Sequence, residues 1–327
     1  MKYKKWISTL LRIIVGLGLL VFLFWKTDVH KILTILIGTE PHFIIFSILL
    51  FSIAVFVISY RWKILLATHS VSIPFSKTTA FYLIGFFFNN FLPTLIGLDM
   101  IRAVYASNSY GKKAECFASV ISEKVIGLLA ILLLGVFFLP PFLKKNRFII
   151  FIFLGFVIFT ILFILGILFF PKRKSFRIFN WFFKIRFILQ LKDKVRRLYD
   201  ALYYYKNKKI VVVKTLLLSF CYQLILITMV FFIGRALSCR IPFYYYLAFI
   251  PVINIGSMIP ITPNGIGIRE FLYVYLFKLA GVESSMAILI SLLYFIITML
   301  VSLSGAIIFI FGTRKGEKKE VEKSIFS

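Results

Sequence analysis

Acidic residues are scarce in this chain: 12 Asp and Glu stand against 39 Lys and Arg, a formal net charge of +27. Such an excess raises nucleic acid as a partner. The basic residues, however, sit between apolar runs and have no folded soluble domain on which to form a groove, so that class is set aside. The three cysteines, Cys116, Cys221 and Cys239, are odd in number and lack paired spacing, which argues against a disulfide framework or a thiolate metal site. His30, His42 and His69 fall near span ends without clustering, and neither a metal nor another cofactor is expected. No serine or cysteine has the accompanying His and carboxylate arrangement of a nucleophilic enzyme. A P-loop pattern is also missing, which excludes intrinsic ATP hydrolysis of that kind.

Apolar sequence is what the chain has in abundance. It is 61% hydrophobic with a mean hydropathy of +0.97, and its apolar runs are long enough to cross about 30 Å of hydrocarbon. The expected fold is an all-α polytopic membrane protein, with residues 1–327 forming a single integral membrane domain. Six runs read as full spans, at about 6–25, 42–60, 117–139, 148–170, 210–234 and 285–311. The first follows Met1-Lys2-Tyr3-Lys4-Lys5 without a small-residue cleavage site, so it reads as an uncleaved span. Basic residues orient the chain with the N-terminus inside, followed on the same side by Arg61, Lys63 and Lys77, then Lys112 and Lys113, the block 171–209 and the charged tail 312–327. Both termini are therefore expected in the cytoplasm. Within 171–209, Phe176, Phe179, Phe183 and Phe187 begin an apolar stripe continued by Leu191, Val195, Leu198 and Leu202. This block reads either as a helix attracted to anionic lipid at the interface or as a loop that only fixes topology.

Two further segments, 79–105 and 243–281, are apolar but interrupted. The second contains Pro260, Pro263, Gly265 and Gly267 followed by Arg269-Glu270; the first contains Asn89, Asn90, Pro93, Gly97, Asp99 and Arg102. Backbone that leaves the helical ladder at membrane depth needs surrounding protein or a water-filled cavity, so these breaks point to a cavity. By the charge-based topology one segment dips from inside and the other from outside, as in an inverted-repeat transporter, or the second makes two complete crossings, which return the chain to the same face.

The ionisable residues in the spans are candidates for chemistry, because charge inside a membrane is expensive. Asp99 and Arg102 stand at i and i+3 and can pair on a helix. Arg269 and Glu270 are consecutive, which predicts that each finds a partner elsewhere. Two readings remain open. In one, Arg102, Lys124 and Arg269 receive an anionic headgroup while Asp99, Glu123 and Glu270 position those cations. In the other, the six form a buried salt-bridge network without substrate contact. Asn90 and Asn264 can hydrogen-bond substrate or satisfy freed backbone groups; Gly97, Gly265 and Gly267 permit turns or close backbone approach.

Three motifs carry a resemblance. Asn90, Pro93, Gly97, Asp99 and Arg102 match an Asn-Pro-Gly-Gly-Asp-Arg pattern, with Leu98 in place of its second glycine. Glu123-Lys124, followed by Gly127-Leu128, matches a Glu-Arg motif with Lys for Arg. Pro260, Pro263, Gly265, Gly267, Arg269 and Glu270 match the third and most specific, with Asn264 where a glycine is common. Over nearly its whole length the chain resembles the flippase-like family built on the transmembrane region of lysylphosphatidylglycerol synthase. That resemblance implies movement of polar-headed lipids, such as anionic or aminoacylated phospholipids, between leaflets of a prokaryotic plasma membrane. It does not imply aminoacylation, because only a short charged tail follows Phe311. An integral-membrane transferase with Glu123 or Asp99 as base is the alternative, and a non-transporting partner of a lipid-modifying enzyme, or a homo-oligomer, is a further one.

Overall fold

A computed structural model describes residues 38–89, 97–144, 147–169, 203–205, 208–259 and 265–312. The expected first span, the breaks at 90–96 and 260–264, most of the basic block and the tail lie outside the described residues. Among those described, the secondary structure is helical: α1 (Pro41–Thr68), α2 (Phe75–Asn89), α3 (Gly97–Tyr110), α4 (Lys113–Phe138), α5 (Arg147–Phe169), α6 (Lys209–Ala236), α7 (Phe243–Ser257), α8 (Ile268–Lys278) and α9 (Ser284–Gly312), with a short 3-10 turn at Pro140–Phe142. Helices suit such apolar sequence because each satisfies its own backbone in hydrocarbon. Five of them, α1, α4, α5, α6 and α9, are long and apolar enough to cross a membrane, and the chain is an all-α polytopic membrane protein.

The four short helices behave differently. At about 1.5 Å per residue, helices of 15, 14, 15 and 11 residues are too short to cross alone. They form two pairs, α2 with α3 and α7 with α8, whose members pack against each other. Each pair is entered from a different end of the bundle. At one end Lys112 Nζ donates to the carbonyls of His69 and Ser70 at 3.2 and 3.3 Å, tying the exit of α1 to the entry of α4. Tyr205 joins them there through its hydroxyl on the Leu65 carbonyl. His69, Ser70, Lys112 and Tyr205, from described parts of segments that charge bias assigns to one side, thus meet at one end. At the opposite end Glu40 N–H donates to Ala236 O, and Phe142 stacks on Tyr244 while Phe148 meets Tyr275. The α2–α3 pair opens on the first end and α7–α8 on the second.

Two large apolar cores result, beside a small cluster of Leu65, Ile126 and Tyr205. One is built around Phe142, Met229, Tyr246, Phe249 and Phe277, the other around Trp62, Tyr82, Ile84, Tyr105 and Val120. Helix α9 joins the broken pairs by packing on both α2 and α8. Its approach to α2 is close enough that a Cβ on Gly305 would lie 2.0 Å from the Leu83 carbonyl oxygen, so only glycine allows these backbones to meet. Helix α5 is peripheral, with Phe151, Ile158 and Leu162 facing outward.

Candidate functional site

The first ion network centres on Glu123, buried in the middle of α4. Arg61 donates to its Oε1 from Nε at 3.1 Å and Nη2 at 2.9 Å, and from Nη1 to Ser219 Oγ at 2.6 Å. Arg102 donates to Glu123 Oε2 and to the Tyr82 hydroxyl, which itself donates to Glu123 Oε1. The same guanidinium holds Asp99 Oδ1, from Nη2 at 2.6 Å and Nε at 3.2 Å, and lies over the rings of Tyr82 and Trp62. Lys124 completes the chain with a contact to Asp99 Oδ2 at 2.8 Å, from a half-exposed side chain. The departure from Arg at this motif position thus leaves one point contact where a guanidinium offers a fork. Asp99 sits in the first turn of α3, where the helix dipole also favours an anion.

Arg61 corrects the sequence reading. It was expected in a cytoplasmic loop, but α1 runs on to Thr68 and Arg61 is 4% exposed, its charge matched by a carboxylate 62 positions away. A basic residue near the end of an apolar run looks the same in sequence whether it faces water or a buried acid.

The second network corrects another expectation. Arg269 and Glu270 pair with each other, through Arg269 Nη2 and Nε to Glu270 Oε1 at 2.6 and 3.0 Å. Gly267, at φ +86°, starts α8, and its N–H donates to Glu270 Oε2 at 2.6 Å. This is the backbone half of a capping box, which a glycine cap can still provide. With the Glu270 carboxylate folded back over the helix start, the neighbouring guanidinium reaches it. Ser291 from α9 bridges the two, accepting from Arg269 Nε and donating to Glu270 Oε1. Gly265, at φ +69°, would set a Cβ 2.9 Å from Ser257 O, so this turn also needs glycine.

Between the networks lies a cavity of about 290 Å³. It is bordered by Asn89 at the last residue of α2, Asn254 and Ser257 at the end of α7, Arg269 of α8, Tyr222 and Gln223 of α6, and Tyr294, Phe295, Thr298 and Ser302 of α9, with Phe51 and Phe86 closing one side. Phe86 and Tyr222 also touch both apolar cores, so the cavity occupies their junction. Residues flanking both helix breaks therefore meet at one space. Of the ionisable residues singled out from sequence, Arg269 alone lines it among the described residues; Asp99, Arg102, Glu123, Lys124 and Glu270 do not. The first network stands one ring away, with Arg61 6.0 Å from the Tyr222 ring. Asn90, Pro93, Pro260, Pro263 and Asn264 lie outside the described residues. Sequence reasoning took Arg61 only as a marker of topology and passed over Tyr82, Ser219, Tyr222, Gln223 and Asn254. For Gln223 and Asn254 a signal existed: a carboxamide inside an apolar run is itself unusual.

Comparison with known proteins agrees with this architecture. The chain is 25% identical over 303 residues to a UPF0104 membrane protein of Pyrococcus horikoshii, covering 86% of this chain and 90% of that one. It is 24% identical over 338 residues to a UPF0104 membrane protein of Methanocaldococcus jannaschii, covering 98% and 99%. The family model for the lysylphosphatidylglycerol synthase TM region matches residues 9–305, and the chain belongs to that family of membrane proteins.

Proposed function

We propose that this protein translocates polar-headed lipids between membrane leaflets, with the headgroup passing through the central cavity while the acyl tails stay in the bilayer. The observation that carries this reading is a cavity with polar side chains in its wall, bordered by residues at the ends of α2 and α7, inside a bundle whose outer faces are apolar. The short helix pairs, entered from opposite ends, act as re-entrant hairpins of an inverted repeat, exposing the cavity alternately to the two faces. Arg269 is the charged group at the wall, and the network from Arg61 to Lys124 is the rigid support behind it. Asp99 and Glu123, which a transferase would use as bases, are occupied by cations, so translocation is the stronger reading. The termini and the basic block then lie in the cytoplasm, where the block can meet anionic lipid.

Purified protein in liposomes tests this. Headgroup-labelled lipids, including phosphatidylglycerol and its aminoacylated form, are placed in both leaflets and bleached from outside by an impermeant reductant. Bleaching beyond the half reached in protein-free vesicles, without a mass change in the lipid, is the expected result. A covalently modified lipid would replace translocation with transfer, and bleaching no greater than in protein-free vesicles would overturn the proposal.

A further inference from the structure

The cavity wall is mostly uncharged. The buried charged side chains among the described residues are Arg61, Arg102 and Arg269 against Asp99, Glu123 and Glu270, three cations matched by three anions. Each is already in an ion pair. Lys124 is half exposed and tied to Asp99, and stretches 90–96 and 260–264 contain no ionisable residue. Among the described residues, an anion entering this cavity would meet Arg269 as its lining cation, and Glu270 already neutralises that charge.

Neutral hydrogen-bonding groups, by contrast, are left over. Gln223 is 6% exposed, lines the cavity and makes no hydrogen bond with the described residues. Asn254, Tyr222 and Tyr294, each half-buried, line it beside Gln223. A buried carboxamide without a partner is costly, so Gln223, with further polar side chains beside it on one wall, marks a place where a ligand or water completes it. Carboxamides offer a donor and an acceptor side by side, which suits vicinal hydroxyls. The aromatic faces around them suit the C–H face of a saturated ring. At about 290 Å³ the space lies at the small end of ligand pockets, which argues for one ring and not an oligomer.

Resting on the translocation reading above, the geometry points to an uncharged polyhydroxyl headgroup, a single sugar ring carried on a lipid, as the ligand of this cavity. Gln223 and Asn254 bind its hydroxyls, and the aromatic side chains of the wall pack against its carbon face. This departs from the anionic headgroup that Arg102, Lys124 and Arg269 suggest in sequence.

Binding and transport are measured separately, so that each reading can fail alone. Native mass spectrometry compares retention of monoglucosyl diacylglycerol, phosphatidylglycerol and free methyl glucoside by the wild type and by Gln223→Leu. The glycolipid should be retained over phosphatidylglycerol, and the variant should lose it about tenfold, the effect of one or two neutral hydrogen bonds. Where Gln223→Leu does not fold, Gln223→Asn, which keeps the amide but shortens its reach, serves instead. Retention of free methyl glucoside equal to that of the glycolipid would keep the sugar chemistry but exclude the lipid carrier. Retention of phosphatidylglycerol equal to or above that of the glycolipid, or a glycolipid signal indifferent to Gln223, would overturn the inference. In liposomes, transport of phosphatidylglycerol alone overturns the headgroup class and leaves translocation standing; glycolipid bound but not moved overturns translocation and leaves the headgroup class standing.

Discussion

Replacing Glu123 by Gln removes the one carboxylate shared by two buried guanidinium groups. Arg102 keeps Asp99, but Arg61 is left with only the Ser219 hydroxyl and the Tyr222 ring. A buried cation that loses its counter-ion costs roughly 3 to 5 kcal/mol. Removing Arg61 as well, as Arg61→Met with Glu123→Gln, takes the abandoned charge away, so the double variant should be less damaged than the sum of the singles by about 2 kcal/mol or more. Unfolding titrations of the purified protein in detergent micelles, followed by helical circular dichroism, measure all four proteins. Losses that add to within about 0.5 kcal/mol would mean that Arg61 and Glu123 do not depend on each other, and would refute the network as drawn.

Three further outcomes follow from the same contacts. Lys124→Ala should cost no more than about 1 kcal/mol in that titration, because the side chain is half exposed and Asp99 retains Arg102. Gly305→Val should cost about 3 kcal/mol or more, since its Cβ meets Leu83 and Ile84 backbone, whereas Gly155→Ala, with nothing within 4 Å, should be neutral or slightly stabilising. Burial holds the His69 imidazole below its ordinary 6.5, with Glu115 opposing and Lys112 assisting; because the unfolded chain takes the proton first, stability present above about pH 6.5 is lost as pH falls through the folded value, and His69→Phe should lose less than the wild type between pH 8 and pH 5.5 in thermal melts.

The spans were legible because hydrophobic length alone decides whether a helix can cross a membrane, and α1, α4, α5, α6 and α9 coincide with five of the apolar runs. The turn before α8 was legible from Gly265 and Gly267, both at positive φ, and the Asp99–Arg102 pair from its i, i+3 spacing. Partner choice was not, because it depends on which helices become neighbours. Arg61 meets a carboxylate 62 positions on and a serine 158 positions on, and no local pattern encodes that. Arg269 and Glu270 misled for a local reason: consecutive side chains diverge on a regular helix, but the Gly267 cap draws Glu270 back over the helix start. That Gly-x-x-Glu spacing was readable as a helix start.

The central claim, that lipid headgroups pass through the cavity between the two helix breaks, is tested most directly by blocking it reversibly. In a background with Cys116, Cys221 and Cys239 replaced, Asn254→Cys puts a thiol on the cavity wall and Leu217→Cys puts one on the outward face of α6. A bulky disulfide-forming reagent is attached to each protein in liposomes and later removed by reduction, so every sample is its own folding control. Lipid translocation should stop on labelling at position 254, return on reduction, and stay unchanged on labelling at position 217; full translocation by protein labelled at position 254 would contradict the account.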